Sequence, residues 1–248
     1  MSNAVLELRN LNKSFDALKA TKDLSFVVKA GEIHALIGPN GAGKTTLIQQ
    51  IYGALKPDTG YVILNGRDIT NLSVSARIKA GIGRSFQVSN VLMDFTVLEN
   101  AIIAEQARLG QSFRFFYPAF DDRDLQIGAH RILSRVGLDD RAPERVSDLA
   151  HGERRMLELA LALATVPTLL LLDEPMAGAG LKESQRMGQI INNLRGEVAI
   201  LLIEHDMDAV FRLADRITVL VEGVIIATGT VDDISNDADV RAAYLGSD

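Results

Sequence analysis

The sequence predicts an α/β fold: a mostly parallel sheet, an antiparallel β layer beside it and an inserted helical lobe. Three observations carry this. Short, continuously apolar runs that end in polar residues alternate with helical stretches, as strands covered on both faces do. The N-terminal stretch and the run around Asn65-Gly66 carry antiparallel hairpin signals. Between about 88 and 165 the strand signals fade and helical periodicity takes over.

Taken in order, "VLELRNLNKSF" and "DLSFVVKAGE" predict an antiparallel pair, and "EIHALIG" (32–38) predicts a buried strand. "TGYVILNGRDI" turns at Asn65-Gly66, because a two-residue hairpin needs positive φ at both central positions. "TLLLLD" (168–173) and "EVAILLIEHD" (197–206) are further buried strands, and "RITVLVEGVIIATG" is a strand pair turning at Glu222-Gly223. The reading is a single domain, with residues 1–87 and 166–248 as the α/β body and about 88–165 as the lobe. Within the lobe, "LAHGERRMLELALAL" reads as an amphipathic helix with an odd beginning. Gly152 occupies its first turn, and Ala150 stands where a capping box before Glu153 wants Ser or Thr.

Composition narrows the function classes. The chain has no cysteine, hence no disulfide, thiol nucleophile or thiolate metal site. A net charge of −6 without a basic run argues against nucleic acid as the main partner. The most apolar region is interrupted by Glu158 and Pro167 and runs into Asp173, so it falls short of a membrane span. The start lacks the pattern of a signal peptide, so the expectation is a soluble chain that reaches a membrane only through partners.

"GPNGAGKTT", Gly38 to Thr46, follows an apolar strand and opens a helix, the context a phosphate-binding P-loop requires. Gly41 and Gly43 let backbone N–H groups wrap phosphates, with Gly38, Asn40 and Ala42 completing the loop and the helix end adding its dipole. Lys44 brings a point charge for the β- and γ-phosphates, Thr45 a hydroxyl for Mg2+, and Thr46 follows in the same turn. Asp173 leaves a strand end where a carboxylate can hold the metal's water shell, and Glu174 can orient or deprotonate a water. His205, at the end of another strand, is a candidate γ-phosphate contact, because ligands bind at the carboxyl edge of open α/β sheets.

The ordered set "GPNGAGKTT", "SFQ", "LAHGE", "LLLLDEP" and "EHD" resembles the ATP-binding subunits of ABC transporters across essentially the whole chain. The resemblance implies a P-loop NTPase core of the ABC ATPase type and ATP hydrolysis with Mg2+. It implies that Gln87 is a hinge glutamine at the metal and γ-phosphate, and that Phe15 stacks on adenine. It also implies a head-to-tail pair in which Ala150, His151, Gly152 and Glu153 of one subunit meet the γ-phosphate held by the other. Gly152 then permits close approach, and the uncapped N–H groups await an anion. The implied partners are a second ATP-binding subunit, identical or not, two integral membrane permease subunits and, indirectly, a secreted solute-binding protein. The implied location is the cytoplasmic face of the cell membrane.

Two positions depart from the family pattern: Ala150 replaces the usual Ser, and Gly180 replaces Asp or Asn after the catalytic pair. Within the family, "SFDALKATKDLSF", "GERRMLELALAL", "DEPMAG" and "VRAAYLG" resemble importer ATPases for branched-chain amino acids of the LivG type. The aromatic stretch holding Phe113, Phe115, Phe116, Tyr117 and Phe120 is either a packing anchor or a surface for membrane subunits. Three functions stay open: energy coupling for solute import (with another importer or an exporter as its variant), a non-transport ABC ATPase, and an ATP-responsive subunit with little turnover. Intact Lys44, Asp173, Glu174 and His205 count against the last.

Overall fold

The computed structural model describes residues 3–85, 91–110 and 119–245. The chain divides into two compact units, 1–82 with 168–174 and 191–248, and 83–167 with 175–190. The second unit therefore takes in a segment, 175–190, beyond the lobe expected from periodicity.

The first unit contains β1 (Ala4–Phe15), β2 (Leu18–Lys29), β3 (Ile33–Ile37), α1 (Lys44–Tyr52), β4 (Thr59–Leu64), β5 (Arg67–Asp68) and α2 (Val74–Lys79). After β6 (Ile82–Arg84), which crosses into the second unit, that unit holds α3 (Val97–Arg108), α4 (Arg123–Val136) and α5 (His151–Ala164). The first unit resumes with β7 (Leu169–Asp173). α6 (Leu181–Asn193) lies in the second unit except for its last turn. The remainder of the first unit is β8 (Ala199–Ile203), α7 (Met207–Leu213), β9 (Arg216–Val221), β10 (Val224–Gly229), α8 (Val231–Asn236) and α9 (Ala238–Leu245).

β2, β1, β4 and β5 form the expected antiparallel layer, and the larger sheet runs β10-β9-β3-β8-β7-β6. β3 is parallel to β8 and β9, and β7 is parallel to β8. Both predicted hairpins are present: Asn65 and Gly66, and Glu222 and Gly223, all have φ between 45° and 79°.

Every residue of β3, β7 and β8 is buried, which explains their unbroken apolar sequences. Leu36 faces a cluster with Leu47, Ile48 and Ile51 of α1 and Leu6, Leu8 and Leu11 of β1. Ala35 and Ile37 face the opposite cluster, with Val210, Val219 and Val240. The antiparallel layer therefore packs on α1, the helix that follows the P-loop, and the C-terminal segment seals the other face. The parallel register places both Leu36 and Asp173 level with Ile203. The residues that leave β3, β7 and β8 therefore emerge along one carboxyl edge.

In the second unit, Thr96 caps α3 in a full box with Glu99, each side chain accepting from the other's backbone N–H. α4 starts at an Asp122 cap and ends at Gly137. Among the described residues no helix is long and apolar enough to cross a membrane.

Candidate functional site

Gly38 to Thr46 joins β3 to α1 as a tight loop at the carboxyl edge. Gly43 is the N-cap of α1 with φ 103°, and no side chain caps the helix. A Cβ on Gly43 would run into the Ala20 carbonyl oxygen, so only glycine fits here. The first N–H groups of α1 therefore end in an open, electropositive helix terminus. Lys44 Nζ donates to Gly38 O (2.5 Å) and Pro39 O (3.0 Å), which holds the ammonium over the loop. Burial pushes the Lys44 pKa down, and the nearby Glu174 and Asp173 carboxylates oppose that shift. Thr45 and Asn40 are exposed, Thr46 is half-buried and Ala42 is buried.

Two supports for this loop escaped the sequence reading. The Gly223 N–H donates to Ala42 O (2.9 Å), and the Lys22 N–H donates to Gly223 O (2.7 Å). The β9–β10 turn thus braces the P-loop and ties it to β2. Its hairpin character is legible locally, but its contact with a loop far away in sequence is not.

Phe15, at the end of β1, is 45% exposed, with Lys13 Nζ 5.6 Å from its ring centroid. It lines a pocket of about 740 Å3 with Leu18, Ala20, the P-loop residues Asn40 to Thr46, Glu174 and Glu222. One wall is the Phe15 ring and the other the glycine-rich loop that opens α1. That shape and charge fit a nucleotide with its base at Phe15.

Asp173 ends β7 and is 6% exposed. Glu174 follows with φ 50°, an uncommon conformation for a side-chain-bearing residue, held by its N–H bond to Ile203 O (2.9 Å). This bend turns the glutamate out of the sheet, and its carboxylate lies 3.8 Å from His205 Nδ1. The structure therefore brings Phe15, the P-loop, Asp173, Glu174 and His205 to one face of the first unit. Gln87 lies outside the described residues, as do Phe113, Phe115, Phe116 and Tyr117. Phe120 is described, and its ring centroid lies 6.2 Å from that of Phe95.

The second unit carries the Ala150–Glu153 turn. Ala150 is the N-cap of α5 and supplies no side-chain bond, since it has no oxygen. Half of a capping box survives: Glu153 Oε2 accepts from the Ala150 N–H (3.0 Å). Arg141 pairs with the same carboxylate. The Ser147 hydroxyl bonds to Asp148 and not to the helix start. His151 is exposed and accepts from Arg155 Nε (3.1 Å).

The glycine at 152 has a local cause that the sequence reading missed. A Cβ there would come within 2.6 Å of Glu183 Cδ, so the Glu183 side chain lies over Gly152. Glu183 Oε2 in turn accepts from the Gly180 N–H (3.3 Å), as the half-box at the start of α6. Room for Glu183, which no local pattern reveals, is thus one reason for Gly152.

The profile of the ABC transporter family matches residues 21–177, and that of the branched-chain amino acid ATP-binding cassette transporter family matches residues 224–248. The chain is 38% identical over 253 residues to the high-affinity branched-chain amino acid transport ATP-binding protein LivG of Salmonella typhimurium, with 99% of each chain covered. It is 32% identical over 244 residues to the lipopolysaccharide export system ATP-binding protein LptB of Haemophilus influenzae, with 98% of each covered. A solved ATP-binding cassette of an ABC transporter in its ADP conformation superposes with a TM-score of 0.86 at 31% identity, covering 98% of this chain and 99% of that one.

Proposed function

The chain belongs to the family of ABC transporter ATP-binding subunits, and from that premise we propose that it drives import of branched-chain or related amino acids. It is an ATPase that binds nucleotide. The amino-acid assignment rests on one observation, the match of its C-terminal segment to the branched-chain cassette family. The identity to an export ATPase keeps export as the second reading. We take the chain as one functional domain at the cytoplasmic face of the membrane, working with two permease subunits, a second ATP-binding subunit and an external solute-binding protein. Reconstitution with the membrane subunits and binding protein encoded beside it should give ATP-dependent uptake of leucine, isoleucine or valine. Uptake indifferent to those solutes overturns the assignment.

The residues divide the chemistry as follows. Phe15 stacks the base, the N–H groups around Gly41 and Gly43 hold the phosphates, and Lys44 neutralises them. Thr45 and Asp173 present oxygen donors suited to a hard divalent cation, and Gln87 carries a further one in sequence. Mg2+, when bound, neutralises phosphate charge. Glu174 takes the proton of the attacking water, and His205 contacts the γ-phosphate. The Ala150–Glu153 turn completes the site of a second subunit, its helix start having no side-chain cap for the first N–H groups.

A shared site requires association before chemistry. Hydrolysis per subunit should therefore rise with protein concentration, measured as specific activity alongside the monomer fraction. A flat specific activity in a protein that stays monomeric contradicts the shared site. Ala150→Ser should restore the missing cap and stabilise the nucleotide-free protein by about 0.5–2 kcal/mol. It should also tighten ATP-dependent dimerisation, best read in a Glu174→Gln background. An unchanged melting temperature and unchanged dimerisation would show that Glu153 and the backbone already do all of this work.

A further inference from the structure

Arg77, in α2, stands outside the site described above and is 1% exposed. Its guanidinium donates to four backbone carbonyls: Nη1 to Gln50 O (2.6 Å) and Ile51 O (2.7 Å), Nη2 to Thr70 O (2.7 Å) and Nε to Leu72 O (3.2 Å). Gln50 and Ile51 belong to the last turn of α1, where carbonyls have no partner within the helix. α1 has no basic residue of its own in that turn. A cation from another element thus occupies the negative end of the helix whose positive end opens onto the phosphate loop. The helix has nine residues, so the two ends are only about 13 Å apart.

Burying a guanidinium this deeply is unfavourable unless every donor is directed at an acceptor. Burial lowers the Arg77 pKa, and the Asp68 carboxylate opposes this. A neutral side chain could fill the same volume without that cost, yet it would leave the α1 carbonyls unsatisfied and the negative end of the dipole uncompensated.

We propose that Arg77 is a positioning residue for nucleotide binding: its charge, fixed against the carboxyl end of α1, aims and strengthens the phosphate-binding amino end. This rests on the assignment of the P-loop as the nucleotide site. Arg77 also ties α1 to the segment between β5 and α2 through Thr70 and Leu72. A purely structural arginine would affect stability and leave the affinity of the folded protein unchanged.

The test is MgADP titration by calorimetry on the wild type, Arg77→Met and Arg77→Lys, below the melting transition of each. Arg77→Met should raise Kd about threefold to tenfold, the direct pull of a unit charge on an anion about 13 Å away at an effective dielectric of about 20–40, with kcat at saturating ATP within about twofold of wild type. Arg77→Lys keeps the charge but loses the guanidinium fork, so at about pH 6.5 it should bind between wild type and Arg77→Met. Its Kd relative to wild type should then widen towards about pH 9.5, as a buried ammonium loses its proton where a guanidinium keeps it. Dividing by the wild-type Kd removes the titration of Lys44, which both proteins share. Wild-type affinity in Arg77→Met, or a ratio for Arg77→Lys that is flat with pH, overturns the proposal. If Arg77→Met does not fold, the pH dependence of that ratio decides alone. A wild type that fails to bind MgADP would instead sink the nucleotide-site assignment.

Discussion

Replacing Glu174 by Gln should leave nucleotide bound and slow turnover by about 10²–10⁴-fold, the usual worth of a positioned general base. The backbone at this position is set independently of the side chain: φ is 50° and the N–H is bonded to Ile203 O. Gln has the same shape and keeps an oxygen that can contact a water, but it cannot take the proton. The loss should therefore fall on kcat, with nucleotide Kd within about threefold of wild type, because the glutamate acts on the water and not on the phosphates. Steady-state hydrolysis at saturating MgATP, read beside equilibrium ATP binding, checks both halves. A Gln variant that turns over at the wild-type rate removes Glu174 from the base role.

Lys44→Ala should fail one step earlier. A hydrogen bond to a charged group contributes about 1.5–3 kcal/mol, so losing the ammonium should raise nucleotide Kd by about 10–100-fold. The pH dependence follows from the same side chain. Its folded pKa lies below that of an ordinary lysine because burial disfavours the ammonium, although Glu174 and Asp173 offset part of this. The charged form binds phosphate, so affinity is full below the depressed pKa and declines as pH rises through it. The Ala variant has no such group, and its weaker affinity should stay flat over that alkaline range. Titrations of ADP at several pH values would check this. Equal affinity of wild type and Lys44→Ala would dismiss Lys44 as the phosphate charge.

The edge that carries the candidate site was legible because its signals are local. A P-loop is contiguous, and the rule that strand ends carry ligands locates Asp173, Glu174 and His205 without knowledge of the packing. Asn65-Gly66 and Glu222-Gly223 were readable as turns because positive φ restricts the residues that can form them. Other features had no local signal. Glu183 over Gly152, the Ala20 carbonyl behind Gly43 and the Gly223 N–H on Ala42 join residues far apart in the chain. Arg77 belongs to no sequence pattern, and its burial against α1 follows only from packing.

By itself, the sequence determined the buried strands, the two hairpin turns and the glycine loop that opens α1. Strand burial, turn chemistry and the glycine loop are each set by a few neighbouring side chains. Only the tertiary structure decided how the site is held. It shows that the Glu222-Gly223 turn braces the P-loop, that a strained φ turns Glu174 out of the sheet, and that a distant arginine caps α1. The physical reason is that backbone carbonyls and N–H groups, present at every residue, make most of these contacts. No residue pattern in a one-dimensional chain marks which of them will meet.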